Sequence, residues 1–170
     1  MRLSRLVPAL VFALVAALPA TADAAQFKPE PWRPFHSTPV TLPGGLYCAF
    51  DLNLDIVADD EQIRVDSRYP DGTVHVNEYR GKLIVNFVGN GKSAERDLSG
   101  TGWEELYPDG VNRKSFTVVG PFGARFKTGD DYPQGYYRFD GFTVITFDPD
   151  GRRHVPVHVG SREDMCHTLS

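Results

Sequence analysis

The clearest pattern in the chain is an alternation of apolar and polar side chains that begins after Tyr47. Every second residue from position 48 to position 56 is apolar: Cys48, Phe50, Leu52, Leu54 and Ile56. Successive side chains of a β-strand point to opposite faces of a sheet, so a period of two is typical of a strand with one buried face. The pattern predicts a half-buried strand that carries Cys48 on its inner face.

Similar runs predict further strands at 62–69, 73–79, 82–88, 93–99, 103–107, 114–119, 124–128, 136–147 and 153–159. No segment repeats apolar residues at helical spacing, so no helix of consequence is predicted. Three copies of Pro-Asp-Gly and one Gly-Asn-Gly separate some of these runs, and they end at Gly72, Gly110, Gly151 and Gly91. Proline presets the first turn dihedral and glycine accepts a positive φ, so these sites predict tight hairpins.

Two stretches, 81–87 and 141–147, resemble each other in residue type and phase, and each is a glycine-led strand that runs into a glycine-containing turn. Repeated strand–turn units with short connections are typical of an up-and-down arrangement. The predicted fold class is all-β: an up-and-down antiparallel meander of about 8–10 strands that closes into a barrel or a near-closed sandwich.

The first 24 residues have the features of a cleaved Sec-type signal peptide. Arg2 and Arg5 precede an apolar run over residues 6–18, and residues 22–24 offer a small-x-small cleavage site. The apolar run is shorter than the roughly 20 residues of a membrane span, and no second apolar segment follows it. The predicted location is secreted, with no membrane span.

The rest of the chain divides into an arm and one domain. Residues 25–45 carry five prolines, which lack an N–H donor and favour extended geometry in the residue before them. We expect an extended or disordered proline-rich arm that Trp32 and Phe35 could fasten to the domain. Residues 46–170 have the size of one domain and are predicted to form a single β domain.

The chain has two cysteines, Cys48 and Cys166. In an exported protein, an even pair of cysteines is typical of a disulfide. Metal binding is the rival interpretation, but only His167 lies beside either cysteine, and two adjacent residues do not build a tetrahedral site. We predict a Cys48–Cys166 disulfide, whose long loop stabilises the fold by up to about 4–5 kcal/mol.

The charge of the chain bears on its partners. The formal net charge is −4, and the loss of the signal peptide makes the chain one unit more negative. A mildly acidic surface without a basic, aromatic-rich cluster argues against nucleic acids and anionic membranes as partners. We expect a monomer with no nucleic-acid partner.

The histidines and carboxylates do not form a recognisable site. His154 and His158 share a predicted strand face but lie about 13 Å apart, too far for one metal ion, and their face is expected to be solvated. The carboxylates occur as neighbours in expected acidic loops: Asp59-Asp60-Glu61, Glu104-Glu105 and Asp130-Asp131. No Gly-x-Ser-x-Gly elbow or complete calcium loop is present. No catalytic residue, metal site or cofactor is predicted.

The aromatic residues of the second half are the best candidates for binding. Tyrosine and tryptophan combine a large apolar body with a polar tip, which suits sugars, peptides and lipid-like ligands. The predicted ligand-binding residues are Trp103, Tyr107, Tyr136 and Tyr137. Ordinary packing is the alternative, because aromatics also favour strands. Alternation places Tyr136 and Tyr137 on opposite faces, so at most one of them can line an interior.

The order of several short motifs resembles a known group of proteins. Tyr47-Cys48-x-Phe50, the strand 81–87, Gly91-Lys92-Ser93, Asp148-x-x-Gly151 and Asp164-Met165-Cys166 follow one another as in small secreted proteins common in actinobacteria. The similarity covers roughly residues 46–167, and the stretch 132–137 departs from it. That group has no assigned activity, so the resemblance implies a β fold, a terminal cysteine pair and secretion, and it transfers no functional residue.

Three functions stay open. The leading interpretation is a secreted, non-enzymatic β-barrel that binds a small ligand or an envelope partner, because a barrel of about eight strands can hold one small ligand. The alternative is a structural or interaction module with a filled interior that acts through surface aromatics. The third is an enzyme with dispersed catalytic residues. An apolar cavity of a few hundred Å³ would favour the first, and converging carboxylates or histidine would favour the third.

Overall fold

The computed structural model describes residues 28–170, which form ten strands and one short helix. The predicted signal peptide, 1–24, lies outside the described residues. The strands are β1 (Arg33–Phe35), β2 (Val40–Leu42), β3 (Leu52–Arg68), β4 (Val74–Gly89), β5 (Lys92–Asp97), β6 (Thr101–Leu106), β7 (Arg113–Val119), β8 (Phe122–Phe126), β9 (Gly135–Phe147) and β10 (Arg153–Asp164), and the helix is α1 (Met165–Thr168).

All strand pairs are antiparallel and belong to one sheet, in the order β1-β3-β4-β6-β7-β9-β10. Three shorter strands pair outside this path: β2 with β3, β5 with β4, and β8 with β9. The predicted all-β antiparallel class is confirmed. In the described residues no ladder joins β10 to β1, so the sheet is open and its pairing does not show the predicted closure.

The two longest strands, β3 and β4, each replace two predicted ones. The register between β3 and β4 shifts at Ile56/Ala58 and at Val65/Ser67. These irregularities accommodate the polar residues, and the pairing of the two strands continues past them. The prediction of separate strands on either side of residues 57–61 and 80–81 is therefore wrong. A strand can continue through a polar stretch when the backbone of that stretch forms hydrogen bonds with a neighbouring strand. The alternation of side chains does not reveal such pairing.

Gly81 and Gly141, which lead the two similar stretches, occupy equivalent places in the sheet. Their φ angles are 118° and 116°. A Cβ atom would lie 2.2 Å from the carbonyl oxygen of Asp60 at the first position, and 2.2 Å from that of Val159 at the second. Only glycine allows this approach of a neighbouring backbone, which is typical of a sharp bend in a strand. The similarity found in the sequence therefore marks two equivalent bends.

The predicted proline-rich arm joins the sheet in its described part. β1 pairs with residues 61–63 and β2 with residues 52–54, both in β3. The Trp32 ring lies between two guanidinium groups, 4.6 Å from that of Arg64 and 3.9 Å from that of Arg80. The Phe35 ring packs edge-on against Tyr79. Trp32 and Phe35 therefore hold the arm against the sheet, as expected. The described part of the arm is extended, which was one of the two expected alternatives.

The four predicted turns are confirmed. Gly72, Gly110 and Gly151 have φ angles of 92°, 67° and 82°. Each donates its backbone N–H to the residue three positions earlier, as a tight turn requires. Asn90 and Gly91 both have positive φ between β4 and β5, the geometry of a two-residue hairpin.

The interior contains two apolar clusters. The first gathers β2–β4 and α1 around fully buried Leu52, Phe87 and Met165. The second gathers β7–β9 around Phe126 and Phe139. The predicted disulfide between Cys48 and Cys166 is confirmed, with a Cα–Cα distance of 5.2 Å, and it ties α1 into the first cluster. No helix within residues 28–170 is long and apolar enough to cross a membrane.

Candidate functional site

The concave side of the sheet contains two adjoining cavities, with volumes of about 340 Å³ (cavity 1) and 290 Å³ (cavity 2). Every strand except β5 contributes a lining residue, so the open sheet curls around them. Most lining side chains are apolar. The two cavities share part of their walls, and we call them together the hollow; the shared residues are Leu54, Arg113, Phe116, Phe122, Gly123 and Tyr136.

Tyr136 forms part of the wall between the cavities. Its ring is buried and packs edge-on against Phe87. A Cβ atom on Gly123 would lie 2.2 Å from the Tyr136 hydroxyl oxygen, so this glycine makes room for the phenol. Within residues 28–170 the hydroxyl has no hydrogen-bond partner. Burial raises the pKa of Tyr136 to about 12, which keeps the phenol protonated and able to donate a hydrogen bond.

Arg113 reaches the hollow from β7 and is neutralised by Glu104 on β6. Its Nε donates to Glu104 Oε1 at 2.6 Å, while Tyr79 and Asn77 donate to Oε2 at 2.8 and 3.1 Å. Burial disfavours the charged form of Glu104, but Arg113 and these hydrogen bonds outweigh it, and the pKa of Glu104 lies below its ordinary value. The network fixes Arg113 at the edge of both cavities.

Two further arginines, Arg125 on β8 and Arg153 on β10, line cavity 2. Arg125 pairs in register with Tyr136, so their side chains lie on the same face. Arg153 pairs with Phe147 and donates a hydrogen bond from Nη1 to the carbonyl of Arg125. Burial lowers the pKa of Arg153 below the ordinary arginine value. Neither guanidinium forms an ion pair within the described residues.

The far end of cavity 1 is polar. The Ser37 hydroxyl donates to Glu61 Oε2 at 2.6 Å, and the Ser37 N–H donates to Asp59 Oδ2 at 2.8 Å. Burial raises the pKa of Glu61, and the Ser37 hydrogen bond opposes that effect. Among the described residues Glu61 is the one carboxylate in either lining, and no histidine lines them.

Of the four predicted ligand-binding residues, Tyr136 lines the cavities and the other three do not. Tyr137 packs in the second cluster against Phe126, so the prediction that the two tyrosines face opposite ways is confirmed. Trp103 is half-buried and alternates with Gly102 and Glu104, so it lies on the outer face of β6. The Tyr107 hydroxyl donates to the carbonyl of Phe147.

The expected arrangement of the histidines is wrong. A register shift between His154 and Val157 places the two histidines on opposite faces of β10. His154 lies between two carboxylates, 2.6 Å from Asp131 Oδ2 and 2.9 Å from Asp148 Oδ2. His158 turns inward instead, where its Nδ1 contacts Thr143 Oγ1 at 2.9 Å. Within residues 28–170 no group of three or more potential ligands could hold a metal ion.

The expected acidic loops are only partly present. Residues 59–61 lie within β3, and Glu104 and Glu105 lie within β6. The two glutamates do diverge, since Glu104 is buried beside Arg113 and Glu105 accepts from Lys114 at 2.8 Å on the outer face. Asp130 and Asp131 lie in the β8–β9 loop. A carboxylate can lie within a strand when a cationic side chain on the paired strand lies beside it. The residues next to the carboxylate in the sequence do not reveal that cation.

The arginines of the hollow were not identified from the sequence. Arg113, Arg125 and Arg153 are 12 and 28 residues apart, and each is one charge among many. One local feature of the sequence did point to Arg125. It lies between Ala124 and Phe126 in a predicted strand, and a charged residue is unusual among the apolar residues of a buried strand. Their convergence depends on the pairing of β7, β8 and β10 with β9, which no spacing rule supplies.

Comparison with protein-family models, with curated proteins and with solved structures found no match to this chain. The resemblance to secreted actinobacterial proteins therefore stays a prediction. Function has to be inferred from the cavities and from the groups that line them.

Proposed function

We propose that the protein is an exported, non-enzymatic binding protein that holds one small molecule in the hollow. The supporting observation is a largely apolar interior space to which nine strands contribute. Binding sites for small molecules are apolar concavities of roughly 300–1,000 Å³ with a few placed polar groups. Each cavity is near the lower end of that range, and the polar groups here include Arg113, Arg125, Arg153, Tyr136 and Glu61.

Export is part of this proposal. The predicted signal peptide supports it, and the Cys48–Cys166 disulfide is compatible with it because disulfides persist in oxidising compartments. We propose further that the curled sheet encloses its ligand as a small barrel does, although its strand ladder is open. A sheet that curls around a cavity can shield an apolar ligand from water without a closed ladder.

The two rival functions receive less support. A module with a filled interior is disfavoured because the hollow is present, and two of the four predicted ligand-binding aromatics, Tyr136 and Tyr137, are buried and do not belong to the surface. An enzyme is disfavoured because hydrolysis by paired carboxylates needs two of them across a cleft, whereas the described lining contains only Glu61. A structural or interaction module that acts through its surface aromatics stays the alternative.

The binding proposal can be tested with a neutral apolar fluorophore, N-phenyl-1-naphthylamine, whose emission rises in an apolar environment. We expect saturable enhancement with the folded protein at one equivalent. Leu54→Trp should weaken it by at least tenfold, because Leu54 lines both cavities and the larger ring fills the shared space. Val57→Trp is the matched control, since Val57 lies on the same strand and is 53% exposed.

Thermal unfolding of both variants establishes that they are folded before binding is compared. Equal binding by the wild-type protein and by Leu54→Trp would contradict binding in the hollow. Loss of binding in Val57→Trp alone would instead indicate a site on the outer face and favour the surface-acting alternative. If Leu54→Trp does not fold, a crystal structure with the fluorophore bound decides whether it occupies the hollow.

A further inference from the structure

Cavity 2 has an unusual balance of charge. Its described lining contains three arginines, Arg113, Arg125 and Arg153, and no carboxylate. Glu104 compensates Arg113 from behind, through a hydrogen-bonded ion pair. The guanidinium groups of Arg125 and Arg153 form no ion pair within the described residues, although the carboxylate of Asp130, outside the lining, attracts Arg153.

The guanidinium groups lie beside aromatic rings, and that of Arg125 is 5.5 Å from the centroid of the Tyr47 ring. Those of Arg113 and Arg153 both approach the ring of Phe147, at 5.2 and 5.9 Å from its centroid. Arg153 also donates a hydrogen bond to the carbonyl of Arg125. Asp130 attracts Arg153 more strongly than any other charge, the repulsion from Arg125 and Arg113 opposes it, and the field of Arg125 acts on the Tyr136 phenol. The charges therefore converge beside a hydroxyl that has a free donor.

Asp130 is the carboxylate whose charge attracts Arg153, and it also accepts two hydrogen bonds from the backbone. Asp130 Oδ1 accepts from the N–H of Arg153 at 3.0 Å, and its Oδ2 accepts from the N–H of Lys127 at 2.8 Å. These bonds hold the β8–β9 loop, and within the described residues the guanidinium of Arg153 has no direct ion pair. Burial of an unpaired charge is costly, so an anion that enters cavity 2 offsets that cost.

Apart from Ser37, Thr38 and Glu61 in cavity 1, the rest of the hollow is largely apolar. Phe122 and Ile145 line cavity 2 together with the arginines, and Leu54 and Val118 line cavity 1. Val40 (40% exposed) and the Arg113 side chain (44% exposed) lie where solvent reaches cavity 2. A ligand can therefore enter at this rim with its charged end beside the arginines and its apolar part directed inward.

We propose that the hollow binds a small amphipathic anion, with a carboxylate or phosphate head group between Arg125 and Arg153 and an aliphatic tail in cavity 1. This inference rests on the binding function proposed above and names the class of ligand. The planar guanidinium matches an oxyanion with two parallel N–H donors, which makes arginine suited to either head group. The Tyr136 hydroxyl is placed to donate a third hydrogen bond.

Isothermal titration calorimetry with three probes of equal tail length tests the head group: octanoate, octyl phosphate and neutral 1-octanol. We expect at least one anion to bind roughly 10- to 100-fold more tightly than 1-octanol, as hydrogen bonds to charged groups of about 1.5–3 kcal/mol imply. The tighter of the two anions identifies the head group. In Arg125→Gln/Arg153→Gln the ratio of anion affinity to 1-octanol affinity should fall to about twofold or less.

Arg80→Gln is the matched control, because Arg80 is exposed and stacks on Trp32 outside the hollow; it should keep the full preference. Equal affinity for all three probes, or tighter binding of 1-octanol, would overturn the anion inference and leave the binding function standing. Preference that survives in the double variant would overturn the assignment to these arginines. Failure of all three probes and of the neutral fluorophore would overturn the binding function itself. If the double variant does not fold, Arg125→Gln alone replaces it.

Discussion

At the scale of single residues, His154 joins the two connections that precede and follow β9. Its Nδ1 faces Asp131 in the β8–β9 loop and its Nε2 faces Asp148 in the β9–β10 turn. A protonated imidazole donates from both nitrogens, so each carboxylate can accept one hydrogen bond only when His154 is charged. Hydrogen bonds to Asp148 and Asp131 raise the pKa of His154 above its ordinary value of 6.5.

This arrangement predicts a pH-dependent contribution to stability. A raised folded-state pKa stabilises the fold fully below the unfolded value, near pH 6.5, and the contribution is lost as the pH rises through the folded value. His154→Gln should therefore lower the Tm clearly at about pH 5 and much less at about pH 9. Differential scanning calorimetry at both pH values measures this.

His167→Gln is the control for that experiment, because His167 is exposed and forms no side-chain ion pair within residues 28–170. It should change the Tm little at either pH. A loss in His154→Gln that is equal at both pH values would show that the histidine acts through packing alone.

At the scale of elements, the bend at Gly141 determines how β9 and β10 cross the molecule. Before it, β9 pairs with β8; after it, β9 pairs with β7, while β10 runs alongside both halves. Gly160 of β10 pairs with Gly141 of β9, so the two strands bend at the same position along the sheet. The bend lets one strand contribute Tyr136 to one wall of the hollow and Ile145 to another.

Gly141→Ala should destabilise the protein more than the same change in a turn. Gly151→Ala introduces only an unfavourable φ, because nothing lies within 4 Å of the added Cβ, and it should cost roughly 1–2 kcal/mol. At Gly141 the Cβ also meets the Val159 carbonyl oxygen, which should add at least about 1 kcal/mol. Urea unfolding of both variants gives the comparison, and equal losses would contradict the bend.

At the scale of the whole molecule, the disulfide closes almost the entire domain. Cys48 and Cys166 are 118 residues apart, and their bond joins the bend before β3 to the helix α1. α1 holds Met165, which is fully buried in the first cluster, and its N-terminal residues are capped by the Asp164 carboxylate. An open sheet has two edges that are not paired with each other. The disulfide fastens the segment before β3 to the helix that follows β10.

Cys48→Ala/Cys166→Ala should lower the free energy of unfolding by about 2–5 kcal/mol, because the unfolded chain regains the freedom that the long loop removes. Chemical denaturation under non-reducing conditions measures the loss. The unaltered protein should show no free thiol before reduction. Thiol labelling of the folded, non-reduced protein would contradict the bond.

The sequence alone determined those features of the fold that depend on neighbouring residues. Alternation identified the inward face of β3 from Leu52 to Ile56, but Cys48 and Phe50, predicted on the same strand, lie in the bend before it. Pro-Asp-Gly at Gly72, Gly110 and Gly151 identified the turns, because turn type follows from local backbone geometry. The disulfide was predicted because an exported protein is expected to reach an oxidising compartment, where a pair of cysteines forms a bond. The full length of β3 and the shift within β10 were missed, since bulges depend on the partner strand.

Tertiary structure alone decided the candidate site. Tyr136 was identified from its residue type, but the same reasoning selected Trp103 and Tyr107, which the sheet places away from the hollow. Arg125 and Arg153 were missed because they meet only when β8 and β10 pair with the two edges of β9. A cavity is the space left between strands that are far apart in sequence, so its walls and its charge depend on how the sheet curls.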